Sequence, residues 1–203
     1  MSWRNDQVSE SETAQIIKIA NLCLSLEGDF VELGCYKGDT SLLLAGILVD
    51  YNRDKMVENF VDKPAKKLWI YDSFEGLPEK SKEDFSELGR DFKRGELEVS
   101  KREVKARFLR AGLPVPMIKK AWFADLKVDD LPERIAFAFL DGDLYESIRD
   151  SLRLVDARMV DGGMIVVHDY SNPMLPGVAK AVDEWVATRE YKINDFGSMR
   201  ILK

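Results

Sequence analysis

Three apolar runs in this chain end in acidic residues or in the only histidine. Asp72 ends LWIYD, Asp141 ends IAFAFLD, and His168 and Asp169 end MIVVHD. In open parallel α/β sheets, ligands bind beyond the carboxyl ends of the strands, where the strand order reverses. We therefore expect these side chains to meet at one edge of a sheet and to bind a ligand there.

The loop after the first apolar run, ELGCYKGDTS, predicts the kind of ligand. Its glycines, Gly34 and Gly38, do not have the spacing of a dinucleotide fingerprint. Glu32 disfavours a pyrophosphate and favours a cationic or hydroxyl-bearing group, while Asp72 stands where an acid binds ribose hydroxyls. These features describe a nucleoside cofactor with an amino-acid portion, and S-adenosyl-L-methionine fits. The alternative is local: an acid such as Asp39 could simply cap the next helix.

The elements that must position these residues follow from apolar spacing and from end signals. Helices are predicted over residues 9–27, 40–51, 100–111, 147–159 and 178–188. Ser9 or Ser11 could cap the first helix, and Ser100 with Glu103 forms a capping-box pattern. Gly112 is expected to end that third helix.

Strands are predicted between these helices. They cover residues 30–33, 68–72, 117–123, 135–141, 164–169, 191–193 and 198–202. Residues 73–99 are predicted to be mostly loop, with a short helix near 82–88, and a loop of this length is usually functional. Alternating strands and helices predict an α/β fold: a doubly wound, mainly parallel seven-stranded sheet with helices on both faces. We expect one compact domain, with residues 1–27 as an N-terminal helical cap and 28–203 as the main unit.

Composition limits the partners. The chain has 203 residues, 45% hydrophobic and 33% charged, and a net charge of −6. That sign argues against a nucleic-acid partner. Cys23 and Cys35 form neither a disulfide framework nor a zinc motif. The longest apolar run, 42–49, is too short to cross a membrane, which takes about 20 residues. With no secretory signal visible in MSWRND, we expect a cytoplasmic protein.

Several ordered motifs together are similar to one known family. They are GDFVELGCYKGDTS, YDSFEGLPE, EVKARFLRAGL, WF followed by DLKVDDLP, FLDGDLYESIRDSL and GGMIVVHDY, and they run from about residue 28 to 185. With these motifs the chain resembles the macrocin O-methyltransferase family, which includes the mycinamicin and novobiocin sugar O-methyltransferases.

The resemblance implies a class I methyltransferase fold and methyl transfer from S-adenosyl-L-methionine to a hydroxyl of a sugar or glycosylated small molecule. It also implies a divalent metal, usually magnesium, held by Asp141, His168 and Asp169, with Asp143 as general base. The cofactor is expected to contact residues of the first loop, the segment after Asp72, an aromatic pair and Asp141. These are Glu32, Gly34, Lys37, Gly38, Thr40 and Ser41; Asp72, Ser73, Phe74, Glu75 and Gly76; Trp122 and Phe123; and Asp141.

Two departures from the family qualify these expectations. Members commonly have two adjacent acids where this chain has His168, and a histidine ligand favours manganese, iron or zinc over magnesium. Alternatively, His168 points away, fixes the strand end by a hydrogen bond and leaves the metal with two acids and waters. A separate alternative is that Asp141 and Asp143 flank a tight turn and one of them caps the next helix. Few residues precede Gly28, so we expect a pocket that is either more open than in the family or covered by another subunit of a homodimer or larger homo-oligomer. A catalytically silent binding paralogue and a metal-independent methyltransferase stay open as alternatives.

Overall fold

One seven-stranded sheet organises the computed structural model of this chain, which describes residues 7–57, 65–88 and 92–203. The strands are β1 (Asp29–Leu33), β2 (Leu68–Asp72), β3 (Met117–Lys120), β4 (Ile135–Leu140), β5 (Met159–Val167), β6 (Ile193–Phe196) and β7 (Met199–Leu202). The helices are α1 (Glu10–Cys23), α2 (Asp39–Val57), α3 (Lys101–Ala111), α4 (Tyr145–Asp156) and α5 (Pro176–Val186). In this part of the chain, no helix is long and apolar enough to cross a bilayer.

The strand order is β3-β2-β1-β4-β5-β7-β6. β1 to β5 run parallel, and β7 pairs antiparallel with β5 and with β6. This confirms the predicted mainly parallel sheet of seven strands. Because the order reverses between β1 and β4, a crevice opens at their carboxyl ends, where such sheets bind ligands.

The two faces of the sheet carry separate apolar cores, because successive strand residues point to opposite sides. On one face the tilted rings of Phe30 and Phe137 pack at 5.2 Å between centroids, in the core that includes residues of α1, α2 and α3. On the other face Val31 and Ala138 belong to the core that α4 and α5 complete. Helices therefore cover both faces, as predicted.

Helix ends lie where they were predicted when the capping residues are close to each other in the sequence. Ser9 and Glu12 form a capping box at the start of α1, and Ser100 and Glu103 form the predicted one at α3. Gly112 ends α3 in the left-handed conformation, as expected. The prediction for the end of α1 was wrong: the helix stops at Cys23, not at residue 27. The Lys66 ammonium donates to the carbonyls of residues 26 and 28, and so stabilises a turn there.

Other helices and strands begin or end at residues that differ from the predicted ones. Two of these bounds depend on contacts with residues far away in the sequence. α4 begins at Tyr145, not at residue 147, because its first N–H donates to the carboxylate of Asp84, 2.7 Å away. β5 begins at Met159, which pairs with Ile135, instead of at residue 164. The predicted strand 117–123 ends at Lys120. Of the predicted short helix near 82–88, only one turn forms, at Lys82–Asp84. Positions 89–91 of the predicted loop lie outside the described residues.

Candidate active site

A cleft lies at the carboxyl ends of β1, β2, β4 and β5. It is partly open to solvent, and the space within it, including that open part, is about 740 Å³. Its lining comes from the loops after these four strands and from residues near positions 97 and 122. The predicted convergence of strand ends at one edge of the sheet is therefore present.

Gly34 allows the loops after β1 and β4 to approach each other. A Cβ at this position would lie 2.0 Å from the carbonyl oxygen of Asp141, and the residue has φ +89°. The N–H of Asp141 donates to Leu33 O, and that of Gly34 donates to Tyr71 O, each at 2.9 Å. Only glycine fits this position, so three strand ends are joined into one rim.

Asp72 holds that rim together from the end of β2. Its Oδ2 accepts from the backbone N–H groups of Cys35 and Tyr36, at 2.9 and 3.3 Å. Its Oδ1 accepts from the N–H of Phe74 at 2.7 Å. The carboxylate thus fixes both the glycine loop and the segment after β2, while it also lines the cleft.

Glu32 lies beneath the glycine loop and is almost fully buried. Burial raises the pKa of its carboxyl to about 8, although the hydrogen bond from the Ser41 hydroxyl acts in the opposite direction. The carboxylates of Asp141, Asp72 and Asp39 raise the pKa further. Glu32 is absent from the lining of the cleft, and Ser41 is its hydrogen-bond partner.

His168 lies between two carboxylates at the ends of β4 and β5. Its Nδ1 is 3.0 Å from Asp141 Oδ1 and 3.1 Å from Asp169 Oδ2, and the side chain is 4% exposed. Burial alone would lower the pKa of the imidazole, but the two carboxylates outweigh it and raise the pKa to about 11. The ring therefore faces the acids, and the alternative in which it points away is wrong.

These three side chains fit a divalent metal. Their ligand atoms all lie within 4.8 Å of one another. Neighbouring ligands of an octahedral ion bound at about 2.1 Å are separated by about 3.0 Å, which matches the spacing of His168 Nδ1 from both acids. Asp141 and Asp169 offer hard oxygen ligands, whereas the imidazole nitrogen also suits manganese, iron or zinc.

Asp143 stands beside this cluster in a left-handed turn, at φ 58°. Burial and the carboxylates of Asp141 and Asp169 raise the pKa of its carboxyl well above the ordinary value. Among described non-glycine residues, Tyr36, Leu97 and Asp169 share this positive φ and also line the cleft. Such conformations are costly and concentrate at functional sites.

A buried carboxylate that the sequence did not single out lies behind His168. Glu12, in the first turn of α1, has its Oε2 4.0 Å from His168 Nε2. Burial alone would raise the pKa of Glu12, but hydrogen bonds from Ser198 and Ser9 outweigh it and lower the pKa to about 2. The only signal for Glu12 in the sequence is its place in a capping box with Ser9. That pattern accounts for its contact with Ser9 but does not predict its approach to His168.

The structure brings together some of the predicted cofactor residues and not others. The cleft is lined by Gly34, Asp72, Ser73, Gly76, Trp122, Phe123 and Asp141, together with Asp143, His168 and Asp169. Outside its lining are Glu32, Lys37, Gly38, Thr40, Ser41, Phe74 and Glu75. Contact between the cofactor and either set stays a prediction.

Several lining residues were missed from the sequence. They are Gln7, Tyr36, Leu77, Pro78, Leu97, Ala121, Gly142 and Ser147. Tyr36 and Leu97 have backbone conformations that their residue types rarely adopt. No spacing rule would identify such positions, because they depend on the path of the loops.

The strand order, with its antiparallel β7 and its cleft at the β1/β4 reversal, is that of the class I methyltransferases. A solved structure of the O-methyltransferase NovP matches with a TM-score of 0.72 and 26% identity, over 95% of this chain and 79% of that one. The macrocin-O-methyltransferase family model matches residues 14–195. The chain belongs to that family.

Two relatives indicate the acceptors on which similar proteins act. A tetracenomycin rhamnosyl 4'-O-methyltransferase of Streptomyces olivaceus is 32% identical over 71% of this chain and 53% of its own length. The demethyldecarbamoylnovobiocin O-methyltransferase of Streptomyces niveus is 30% identical over 80% of this chain and 60% of its own length. The chain thus spans little more than half the length of these relatives.

Proposed function

We propose that this chain transfers a methyl group from S-adenosyl-L-methionine to a hydroxyl of a sugar or glycosylated small molecule, assisted by a divalent metal. The observation that carries the proposal is the meeting of two half-sites in one cleft. Asp72 and the glycine loop form one half, and the cluster of Asp141, His168 and Asp169 forms the other. Family membership and the sugar-modifying relatives support the choice of reaction and acceptor.

The cofactor half is suited to a nucleoside. A carboxylate can accept about four hydrogen bonds, and backbone N–H groups provide three for Asp72. A further acceptor site is therefore open to a ribose hydroxyl. Trp122 and Phe123 add aromatic surface to the lining, and flat aromatic side chains suit a purine ring.

The acceptor half is suited to deprotonating a hydroxyl. A divalent ion held by Asp141, His168 and Asp169 would lower the pKa of an acceptor oxygen. Asp143, two residues after Asp141, would take the proton. Its raised pKa makes it a stronger base once it is ionised, and the cationic sulfonium nearby favours ionisation. The leaving sulfur becomes neutral and needs no acid, so the residues mainly position donor and acceptor.

Calorimetry with S-adenosyl-L-methionine tests the cofactor half. Asp72→Asn should weaken binding by about tenfold or more. The substitution replaces one carboxylate oxygen, a hydrogen-bond acceptor, with an NH₂ group, which is a donor. Asp125→Asn removes an exposed acid near the aromatic pair and should bind as the wild type does. Failure of the wild-type protein to bind the cofactor, with or without metal, would refute the proposal.

A transfer assay tests the reaction. Radiolabelled methyl groups should pass to a rhamnoside or to demethyldecarbamoylnovobiocin, the compounds named for two relatives, in the presence of a divalent ion. No transfer to any glycoside, despite tight cofactor binding, would favour a silent binding protein.

A metal-independent methyltransferase is the second candidate, and one observation favours it. The protonated His168 already places a positive charge between Asp141 and Asp169, where a metal would lie. In that case the imidazolium orients both acids, and Asp143 deprotonates the acceptor without a metal. Exhaustive chelation separates the two candidates, because only this second one retains full turnover.

A further inference from the structure

We propose that Glu12 is a positioning residue for His168: its carboxylate keeps the imidazole N–H on Nε2, so that the Nδ1 lone pair faces the metal. The inference rests on the proposed metal-assisted function and extends it to a residue of the N-terminal helix. The glycine loop and the acids at the strand ends, which define the proposed function, do not by themselves predict a role for Glu12.

The two ring nitrogens of His168 face carboxylates on opposite sides. Nδ1 lies 3.0 and 3.1 Å from Asp141 and Asp169, while Nε2 lies 4.0 Å from Oε2 of Glu12. At 4.0 Å the contact with Glu12 is an ion pair and not a hydrogen bond. Its effect on the ring is therefore electrostatic: a proton is favoured on the nitrogen that faces Glu12.

Glu12 is held firmly enough to have this effect. Its Oε1 accepts from the backbone N–H and hydroxyl of Ser198, at 2.7 and 2.6 Å. Its Oε2 accepts from the hydroxyl and N–H of Ser9, at 2.6 and 3.2 Å. A Cβ on Gly197 would lie 2.7 Å from Oε1, so the turn between β6 and β7 leaves room for this carboxylate.

The chemistry of histidine ligands explains why such a carboxylate matters. A neutral imidazole has one nitrogen that donates and one that accepts, and only the accepting nitrogen can bind a metal. Histidine ligands are commonly oriented by a carboxylate on the other nitrogen, and loss of that partner typically weakens metal binding about 10- to 100-fold. Glu12, His168 and the pair of aspartates form this arrangement across three separate elements.

Titration of the untagged protein with Mn²⁺, followed by the electron paramagnetic resonance of the free ion, tests the proposal. Glu12→Gln should bind Mn²⁺ about 10- to 100-fold more weakly than the wild type, because the neutral amide no longer favours the proton on Nε2. Glu10→Gln removes an exposed acid from the same helical turn and should leave the affinity unchanged. Equal Mn²⁺ affinity in all three proteins would overturn the role of Glu12.

A second measurement does not depend on the variant folding. The chain has one histidine, so ¹⁵N-labelled histidine gives the signals of a single ring. With diamagnetic Zn²⁺ bound to wild-type protein, the proton should be found on Nε2; a proton on Nδ1 would overturn the proposal. If wild-type protein binds S-adenosyl-L-methionine but no divalent ion, both this inference and the metal in the proposed function fail, while the cofactor half stands.

Discussion

Nδ1 of His168 lies 3.0 Å from Oδ1 of Asp141, although the two residues are 27 positions apart in the chain. They meet because β4 and β5 are adjacent and parallel, with Leu140 opposite Val167, so the residue after each strand reaches the same point. In the absence of metal, the imidazole proton compensates the charge of the acids. A metal that binds Nδ1 must displace that proton, so metal affinity should rise with pH.

The identity of residue 168 should set the metal preference. His168→Asp replaces the imidazole by a third carboxylate, and an all-oxygen set suits Mg²⁺ better than a mixed one. We expect the variant to bind Mg²⁺ more tightly relative to Mn²⁺ than the wild type does. Competition titrations of the two ions measure this ratio, and an unchanged ratio would show that His168 is not a ligand.

Removal of the carboxylate proposed as the base should separate turnover from binding. Asp143→Asn keeps the shape of the side chain but cannot accept the proton, so kcat should fall by about 10²- to 10⁴-fold. The affinity for S-adenosyl-L-methionine should stay close to that of the wild type, as measured by calorimetry. Asp125→Asn, an exposed substitution, serves as the control, and wild-type turnover in Asp143→Asn would exclude the base role.

Asp84 should stabilise the protein from within the long loop. It is 1% exposed, and it accepts from the N–H of Tyr145 at 2.7 Å and from the hydroxyl of Ser81 at the same distance. Asp84→Ala leaves these partly buried donors without that partner and should lower the free energy of unfolding by about 1–3 kcal/mol. Urea denaturation measures the change. Glu87→Ala, on the exposed side of the loop, should have little effect, and equal stability of both variants would contradict the anchoring role.

Glu32 should make the stability of the protein depend on pH. Its pKa is raised to about 8 in the folded state from an ordinary value of 4.5, so between these values the native state holds a proton that the unfolded state has lost. The contribution of Glu32 is complete below pH 4.5 and is lost as the pH rises through 8. The slope is at most about 1.4 kcal/mol per pH unit.

The neutral variant Glu32→Gln isolates this effect from other titrating groups. The amide oxygen of Glu32→Gln can still accept from Ser41. Because the wild type loses stability as the pH rises from 5 to 8, the variant should become progressively more stable relative to it. Denaturant titrations over this range measure the difference. Glu133→Gln, an exposed substitution, should track the wild type, and a constant gap for Glu32→Gln would show that the pKa of Glu32 is not raised.

Most of the sheet could be predicted because its signals are local. The buried strands read as apolar runs, and the capping box of Ser100 and Glu103 fixed the start of α3 where it was expected. The acids at the strand ends met as predicted because parallel strands bring their carboxyl ends to one edge. These inferences need only neighbouring residues and one rule of topology.

The remaining features depend on contacts between segments far apart in the chain. The start of α4 is set by Asp84, 61 positions earlier, and the end of α1 is followed by a turn that Lys66 stabilises. The approach of Glu12 to His168 requires α1, the β6–β7 turn and the end of β5 to meet. No local pattern records such pairings, so the orientation of His168 could only be left open from the sequence.

The bond between Asp84 and the start of α4 also constrains protein engineering. A designer who exchanged residues 73–99 for a loop without an acid at the position of Asp84, to change the acceptor of the proposed reaction, would remove the acceptor of the Tyr145 N–H. Gly177 leaves room for that carboxylate, since a Cβ at this position would lie only 1.9 Å from Asp84 Oδ1, so Asp84 requires glycine at position 177. Loop and helix would therefore have to be transplanted as one cassette, with Asp84 retained at its position.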